Sequence, residues 1–178
     1  MRTVLITGAN RGIGRAIAEK ALNDGNRLSL GIRHNSEIKG TILDPKVSGR
    51  ERILWNKYDA LDINSSKNFI QNTISEYGSF DSIIHCAGIF KRTNFDFNDD
   101  ELKDISNLLN TNLMGPWHLT KEAWPELCKT QTSRIIVLVS MSGKRVKGNL
   151  AGYAVSKFAL MGLCQAIRNE GWEKGVRV

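Results

Sequence analysis

The segment TGANRGIG, residues 7–14, is the feature that most constrains the fold of this chain. It places three glycines between an apolar run at residues 3–6 and a run whose apolar residues recur at helical spacing. A strand, a glycine-rich turn and a helix in this order are typical of the first turn of a doubly wound α/β domain. Free backbone N–H groups and the helix dipole attract phosphate there. The segment therefore predicts that a phosphate-bearing ligand approaches bare backbone.

Each glycine of this segment has a separate predicted role. Gly8 makes the turn, Gly12 lets phosphates approach, and Gly14 lets the helix pack closely on the strand. The spacing is G-x-x-x-G-x-G rather than G-x-G-x-x-G, and no Lys-Ser/Thr pair follows as a P-loop requires. A turn that the glycines merely shape is the alternative. The context favours dinucleotide binding.

Strand and helix patterns alternate along the rest of the chain. The predicted strands are residues 3–6, 27–33, a segment within 51–60, 81–88 and 134–140. The predicted helices are 13–22, 65–78, 100–128 and 151–170. Ser65 or Ser66 is the expected cap of the second helix, and the polar loop 34–50 is expected to be mobile. This alternation predicts an α/β fold, a three-layer doubly wound parallel sheet covered on both faces, in a single domain over residues 1–178.

Composition excludes several classes of protein. Hydrophobic residues make up 41% and charged residues 24%, as in ordinary globular domains. Cys86, Cys128 and Cys164 form no C-x-x-C pair, so we expect buried free thiols rather than disulfides or a metal site. The net charge of +7 is scattered, which disfavours nucleic acid as a partner. No apolar run is long enough to cross a membrane, and we expect a cytoplasmic location.

The end of the second predicted strand indicates which dinucleotide is bound. A site that prefers NAD has a carboxylate there, which accepts a hydrogen bond from the ribose 2′-hydroxyl. Here the strand ends GIRH, so Arg33 stands near that position, and Arg11 lies inside the glycine turn. Two guanidinium groups suit a 2′-phosphate. This pattern predicts NADP(H) rather than NAD(H), with two merely solvated arginines as the alternative.

A second constellation lies near the other end of the chain. The stretch YAVSK places Tyr153 and Lys157 four residues apart, on one face of a predicted helix. The lysine ammonium favours the phenolate form of the tyrosine by attraction. Ser140 ends the most strand-like segment, thirteen residues before Tyr153, where doubly wound folds bind ligands. The loop between them contains glycine and can bring the two hydroxyls together over a carbonyl.

With these residues in place, the sequence resembles the short-chain dehydrogenase/reductase family over essentially its whole length. TGANRGIG resembles the family's cofactor loop, DALD (59–62) its adenine-contacting segment, and NLMG (112–115) its N-x-x-G motif. Ser140, Tyr153 and Lys157 fall at the family's catalytic spacing. The resemblance implies an NADP(H)-dependent oxidoreductase that transfers hydride between nicotinamide and a ketone or secondary alcohol.

The resemblance also implies a role for each site residue. Tyr153 exchanges a proton with the substrate oxygen, and Ser140 donates a hydrogen bond to that oxygen. Lys157 binds the nicotinamide ribose and favours the Tyr153 phenolate, while Asn112 holds a water that relays protons to Lys157. The implied cofactor-binding residues are Gly8, Arg11, Gly12, Ile13, Gly14, Arg33, Asp59, Ala87, Gly88, Tyr153 and Lys157.

The Asn112 role has support from backbone chemistry. In an α-helix the N–H of residue 116 bonds the carbonyl of residue 112, and Pro116 has no N–H. We therefore expect a helix interruption at Gly115-Pro116, with the freed Asn112 oxygen facing Lys157. A simple kink with that oxygen turned to solvent is the alternative.

Two departures from the family pattern stand out. The segment HCAG puts His85 and Cys86 where the family usually has two asparagines, while Ala87 and Gly88 remain. A structural pairing of His85 with nearby backbone is favoured over a catalytic role. Members of the family are also usually longer, so we expect a C-terminally incomplete domain that lacks the substrate lid and the last strand.

Other functions stay open from sequence. Lys144, Arg145 and Lys147 lie between Ser140 and Tyr153, and they suit an acidic carrier protein if the enzyme is a 3-oxoacyl-carrier-protein reductase. A solvated loop is the simpler interpretation. A catalytically silent NADP-binding sensor or oligomer partner is the alternative from another class. The resemblance further implies a homodimer or homotetramer formed through residues 100–128 and 151–170, with no membrane or nucleic-acid partner.

Overall fold

One parallel sheet organises the chain in the computed structural model, which describes residues 1–130 and 132–178. The six strands of this described part are β1 (Thr3–Thr7), β2 (Arg27–Ile32), β3 (Ile53–Lys57), β4 (Ser82–His85), β5 (Ser133–Val137) and β6 (Val176–Arg177). Their order is β3-β2-β1-β4-β5-β6, and each neighbouring pair is parallel. This confirms the predicted doubly wound fold. The order reverses between β1 and β4, so a crevice opens at their carboxyl ends.

Helices connect the strands on both sides of the sheet. They are α1 (Gly12–Asn23), α2 (Pro45–Ser48), α3 (Ile63–Tyr77), α4 (Asp99–Leu109), α5 (Gly115–Leu127) and α6 (Ala151–Gly171). A π-helical segment, Asn110–Met114, joins α4 to α5, and a 3-10 turn, Met141–Gly143, follows β5. Each predicted helix is present within one to two residues of its expected bounds.

The start of α3 differs from the prediction. The side chain of Asp62 caps this helix by accepting a hydrogen bond from the Asn64 amide. Ser65 and Ser66, the expected caps, are buried inside the first turn. An ionised carboxylate is as good an N-cap as a serine, and it gains from the helix dipole.

Two apolar clusters occupy opposite faces of the sheet because side chains alternate along each strand. Val4 and Ile6 of β1 pack with Leu22 of α1, whereas Leu5 packs with Leu119 of α5. Coverage is incomplete on the α1 side. Ile136 of β5 lies in the groove beside α1 and is 51% exposed, so the expectation that helices cover both faces holds only for part of the sheet.

The polar loop 34–50 is not the unanchored segment expected from its composition. Ile38 and Leu43 are fully buried, and the carbonyl of Leu43 accepts a hydrogen bond from Trp55 Nε1. The Asp44 side chain accepts from the amides of Gly40 and Lys46. Two buried aliphatic side chains within a polar run give a weak sequence signal, which the prediction missed.

Two further findings concern the described residues. The three cysteines are free, and each is partly exposed rather than fully buried. In residues 1–130 and 132–178, no helix has both the length and the apolar character that crossing a membrane requires.

Candidate active site

A cleft of about 720 Å³ opens where β1 and β4 end, at the point where the strand order reverses. Its volume is in the range of small-molecule sites. Among its lining residues are nine that the sequence analysis singled out: Gly8, Arg11, Gly12, Ile13, Gly14, Arg33, Asp59, Ala87 and Gly88. The fold therefore brings together residues that are up to eighty positions apart in the chain.

The three glycines of the first turn meet different surroundings. A Cβ on Gly8 would lie 2.9 Å from the Ala87 backbone, and Gly8 has a φ of +67°. A Cβ on Gly14 would lie only 2.3 Å from the Gly8 carbonyl oxygen. Gly12 differs, because its φ is +56° and a Cβ there would meet open space. Two glycines thus permit close packing, while the third leaves backbone exposed at the start of α1.

The floor of the cleft is fixed by hydrogen bonds between β1 and β4. Thr7 Oγ1 accepts from the amides of Cys86 and Ala87, both at 3.1 Å. His85 is buried, and its Nε2 lies 3.0 Å from Thr120 Oγ1, while Nδ1 has no hydrogen-bond partner within the described part of the chain. Burial lowers the pKa of His85 to about 4 and raises the pKa of the Cys86 thiol to about 11. Both groups are therefore neutral at pH 7.

Charged side chains line the outer end of the cleft. Arg11 and Arg33 are exposed there. Glu37 also lines this end, and its Oε2 accepts a hydrogen bond from Asn10 Nδ2 at 2.7 Å. Its carbonyl accepts from Arg15 Nη1 at 3.3 Å. The sequence analysis found no carboxylate near the end of β2, because Glu37 reaches the cleft from farther along the loop.

The segment DALD forms one wall of the cleft. Asp59 Oδ1 accepts from the Leu61 amide at 3.0 Å, and Ser65 Oγ accepts from the Asp59 amide. A Cβ on Gly115 would lie 2.6 Å from Ala60 Cβ, so the start of α5 packs directly on this wall. The N-x-x-G glycine is thereby explained by packing against the DALD segment.

The interruption predicted near Gly115-Pro116 takes the form of the π-helical segment, so it begins earlier than expected. The Gly115 amide donates to the Asn110 carbonyl, five residues back. Asn112 lies in this segment with 1% of its surface exposed. Its Oδ1 accepts from the Ile89 amide at 2.8 Å, and its Nδ2 donates to the Ile89 carbonyl at 3.0 Å and to Ser156 Oγ at 3.1 Å. That the Asn112 carbonyl faces Lys157 stays a prediction.

Tyr153 and Lys157 lie one turn apart on α6. Lys157 Nζ is 5.9 Å from the centre of the Tyr153 ring and donates to the Leu138 carbonyl at 3.1 Å. Burial lowers the pKa of the Lys157 ammonium. Leu138 and Gly88 both line the cleft, and a Cβ on Gly88 would lie 3.8 Å from Lys157 Nζ. The ammonium therefore sits beside the inner end of the cleft, although neither Tyr153 nor Lys157 is part of its lining.

Two further groups belong to neighbouring segments, and that the Ser140 hydroxyl lies beside Tyr153 stays a prediction. Ser140 is partly buried, and its Oγ accepts from the Ser142 amide at 3.1 Å, which caps the 3-10 turn. Phe90 packs edge-to-face on Tyr153, with ring centres 4.9 Å apart. Phe90 is exposed, so it forms an apolar wall beside the phenol.

The cleft fits a dinucleotide on its own geometry. Open space beside Gly12 at the start of α1 suits phosphate groups. At the inner end, a Cβ on Gly88 would lie 3.2 Å from Asn112 Oδ1, a tight contact, so glycine keeps this space free beside Lys157. The glycines at both ends thus keep open the path between the turn and the ammonium.

Comparison with known proteins identifies the family. Residues 2–178 match the short chain dehydrogenase family. The chain belongs to this family. It is similar to an agropine synthesis reductase from Rhizobium rhizogenes, with 32% identity over 98% of this chain and 39% of that protein. The oxidoreductase UcpA from Salmonella typhimurium is 32% identical over 99% of this chain and 66% of its own length. The chain thus spans about two fifths to two thirds of these relatives.

A solved structure supports the same family. An alcohol dehydrogenase from Thermococcus sibiricus, complexed with 5-hydroxy-NADP, superposes with a TM-score of 0.85. It is 25% identical, and the match covers 96% of this chain and 71% of that one. The family resemblance drawn from the glycine turn and the YAVSK stretch is therefore confirmed.

Some residues of this short-chain dehydrogenase site escaped the sequence analysis. Thr7 was passed over although it opens the glycine segment, and Ser156 although it lies within YAVSK. Leu138, Thr111 and Glu37 line or adjoin the cleft without any motif of their own. A hydroxyl next to a known motif was a usable signal for the first two, whereas the last three depend on how distant segments pack.

Proposed function

We propose that this short-chain dehydrogenase is an NADP(H)-dependent oxidoreductase acting on a ketone or secondary alcohol. The observation that carries the proposal is the place of Lys157. Its buried ammonium lies 5.9 Å from the ring of Tyr153 and adjoins Gly88 at the inner end of the cleft. Proton-coupled hydride transfer requires a group that exchanges a proton and a site for the cofactor. The phenol beside the ammonium suits the first task, and the cleft that begins at a bare helix N-terminus suits the second.

The residues of the chain have distinct proposed tasks. When bound, the nicotinamide supplies or accepts the hydride. Tyr153 donates a proton to the carbonyl oxygen during reduction, and it takes one from the alcohol during oxidation. Ser140 donates a hydrogen bond to the same oxygen and stabilises the charge that develops there. Lys157 holds the ribose hydroxyls and places its charge beside the Tyr153 ring.

The preference for NADP(H) rests on Arg11 and Arg33 at the outer end of the cleft. Guanidinium groups form strong charge-assisted hydrogen bonds with phosphate. The Glu37 carboxylate lies at the same end, so the balance between these charges decides the choice of cofactor. Gly8, Gly12, Gly14 and Ile13 are proposed to hold the pyrophosphate region, and Asp59 the adenine. Ala87 and Gly88 are proposed to line the cofactor by backbone approach, with Gly88 towards Lys157.

A substrate screen tests the proposal. The purified chain is incubated with NADPH or NADH and a panel of ketones, and with the oxidised cofactors and secondary alcohols. We expect NADPH consumption with some ketones, and a kcat/KM about tenfold or more above that for NADH, as loss of a charged hydrogen bond implies. A preference for NADH would contradict the cofactor assignment. NADPH binding without any turnover would instead favour the catalytically silent NADP-binding sensor.

A second candidate is a 3-oxoacyl-carrier-protein reductase. Lys144, Arg145 and Lys147 are all exposed on the loop between Ser140 and α6, where an acidic carrier can dock. In this case the KM for carrier-bound substrates rises steeply with salt, while the KM for small free substrates does not. Equal salt dependence for both would exclude the carrier.

A homodimer or homotetramer in the cytoplasm is also part of the proposal. Leu102 of α4 and Phe158 of α6 expose apolar surface on the helices expected to pair. Sedimentation of the purified chain tests the assembly, and imaging of a tagged chain tests the location. A monomer at micromolar concentration would contradict the assembly.

A further inference from the structure

A buried serine lies between the two proposed catalytic residues of α6. Ser156 is 0% exposed. Its hydroxyl donates to the Tyr153 carbonyl at 2.7 Å, a local bond common for serine within a helix. It also accepts from Asn112 Nδ2 at 3.1 Å, and this second bond joins α6 to the π-helical segment. A single hydroxyl thus connects the turn of α6 that carries Tyr153 and Lys157 with a residue 44 positions earlier.

The oxygen and both N–H groups of the Asn112 side-chain amide take part in such hydrogen bonds. Its oxygen accepts from the Ile89 amide, and its two N–H groups donate to the Ile89 carbonyl and to Ser156. Because both N–H groups are engaged, the side chain has no donor left for a proton relay. A contribution of Asn112 to proton transfer therefore comes from an oxygen atom, and the proposal uses the backbone carbonyl. That carbonyl lacks its usual helical donor because residue 116 is proline.

We propose that Ser156 is a positioning residue for the reaction. Its hydroxyl fixes the Asn112 side chain, and with it the placement of the Asn112 carbonyl relative to Lys157, the next residue of α6. Without this hydroxyl, one buried Asn112 N–H has no partner, and the amide is held by its two bonds to Ile89 alone, which weakens its attachment. The supply of protons to Lys157 and Tyr153 then slows. This inference rests on the proposed function for its kinetic consequence, but not for the structural link.

The experiment compares Ser156→Ala with Ser66→Ala as a matched control. Ser66 is likewise buried in a helix, at 1% exposure, but it lies in α3 away from Tyr153. For Ser156→Ala we expect kcat to fall about tenfold, the worth of one misplaced hydrogen-bonded group, with KM within about twofold of wild type. We also expect a larger solvent deuterium isotope effect on kcat, because proton transfer becomes more rate-limiting. Ser156→Thr keeps the hydroxyl and restores both values.

A second measurement needs no catalysis. Amide hydrogen exchange at Ile89 reports the bond to Asn112 Oδ1, and we expect it to speed about tenfold in cofactor-free Ser156→Ala but not in Ser66→Ala. If Ser156→Ala does not fold, Ser156→Cys replaces it, since a thiol fills the space but accepts hydrogen bonds weakly.

The outcomes separate this inference from the proposed function. An unchanged isotope effect and unchanged Ile89 exchange in a folded Ser156→Ala protein would overturn the inference. Equal losses in Ser66→Ala, or a threonine variant that folds but stays as slow as alanine, would overturn it as well. If the wild type turns over no carbonyl compound, the proposed function fails, and the Ile89 exchange alone decides whether Ser156 holds Asn112.

Discussion

The two ends of the cleft are built from different materials. The outer end has a floor of bare backbone at the glycine turn, beside the charged side chains of Arg11, Arg33 and Glu37: Gly8 and Gly12 have positive φ values, and Gly14 packs where no side chain fits. The inner end consists of buried side chains, among them Asn112 and Lys157, joined by hydrogen bonds between separate elements.

Because of this difference, we expect the glycine turn to bind the cofactor and the side chains of the inner end to carry out the reaction. A backbone surface offers fixed N–H groups to phosphates but no group that exchanges protons at pH 7. Side chains offer such groups, but they need partners to hold them in place. Substitutions at the glycine turn are therefore expected to impair folding and cofactor affinity, whereas substitutions at the inner end are expected to impair the rate.

The largest expected effect lies at the inner end. Tyr153→Phe removes the proposed proton donor and should lower kcat by about 10²–10⁴-fold, the usual contribution of a general acid. The Kd for NADPH should stay within about twofold of wild type, measured by quenching of protein fluorescence. Tyr77→Phe is the control, because this buried tyrosine bonds the Arg50 carbonyl far from the cleft. A Tyr153→Phe protein that keeps its rate would exclude the proposed chemistry.

The next largest effect is expected at the glycine turn. Gly14→Ala forces a Cβ to within 2.3 Å of the Gly8 oxygen, so we expect a loss of about 3 kcal/mol in unfolding free energy, together with weaker NADPH binding. Gly162→Ala is the matched control, because it lies exposed in α6 with no atom within 4 Å of the added methyl. It should gain up to about 1 kcal/mol. Urea unfolding measures both, and similar values for the two variants would refute the packing argument.

His85, in the floor of the cleft between the two ends, should make the free energy of unfolding depend on pH. Burial lowers the pKa of His85 to about 4 from its usual 6.5, so the unfolded chain binds the proton more tightly than the folded chain. Stability therefore falls as the pH drops from about 6.5 towards about 4. The loss at pH 5 is about 2 kcal/mol, since one pKa unit equals about 1.4 kcal/mol.

Urea unfolding of wild type and His85→Asn at pH 7 and pH 5 measures this loss. The asparagine variant should lose less stability between the two pH values, because asparagine does not titrate. Equal losses for the two proteins would show that His85 is not the group responsible.

The smallest effect concerns cofactor choice at the outer end. Arg33→Ala should weaken NADPH binding about tenfold and leave NADH binding nearly unchanged, because only the former carries the 2′-phosphate. Lys39→Ala is the control, since this exposed lysine lies on the same loop but outside the cleft lining. Equal weakening of both cofactors by Arg33→Ala would assign Arg33 a structural role.

Sequence patterns predicted the fold and the family of this protein, but they missed several local features of the structure. Strand–helix alternation predicted the parallel sheet, and the glycine turn and YAVSK predicted the family. The Asp62 cap, the buried Ile38 and Leu43, and the partly uncovered Ile136 were not predicted. Each of these features depends on which of several groups hydrogen-bonds a backbone amide or covers an apolar surface. The packing of distant segments decides which group does so.

The sequence by itself determined where the backbone can take a positive φ and where a donor is missing. Gly8 and Gly12 in the first turn and Pro116 act through local geometry, so these consequences follow from the chain alone. Other contacts were decided only by the tertiary structure. The Asn112 side-chain amide bonds Ile89 and Ser156. Glu37 reaches the same cleft as Arg33, and His85 is buried beside Thr120. These contacts join residues far apart in sequence, and their strength depends on distance and burial, which no local pattern encodes.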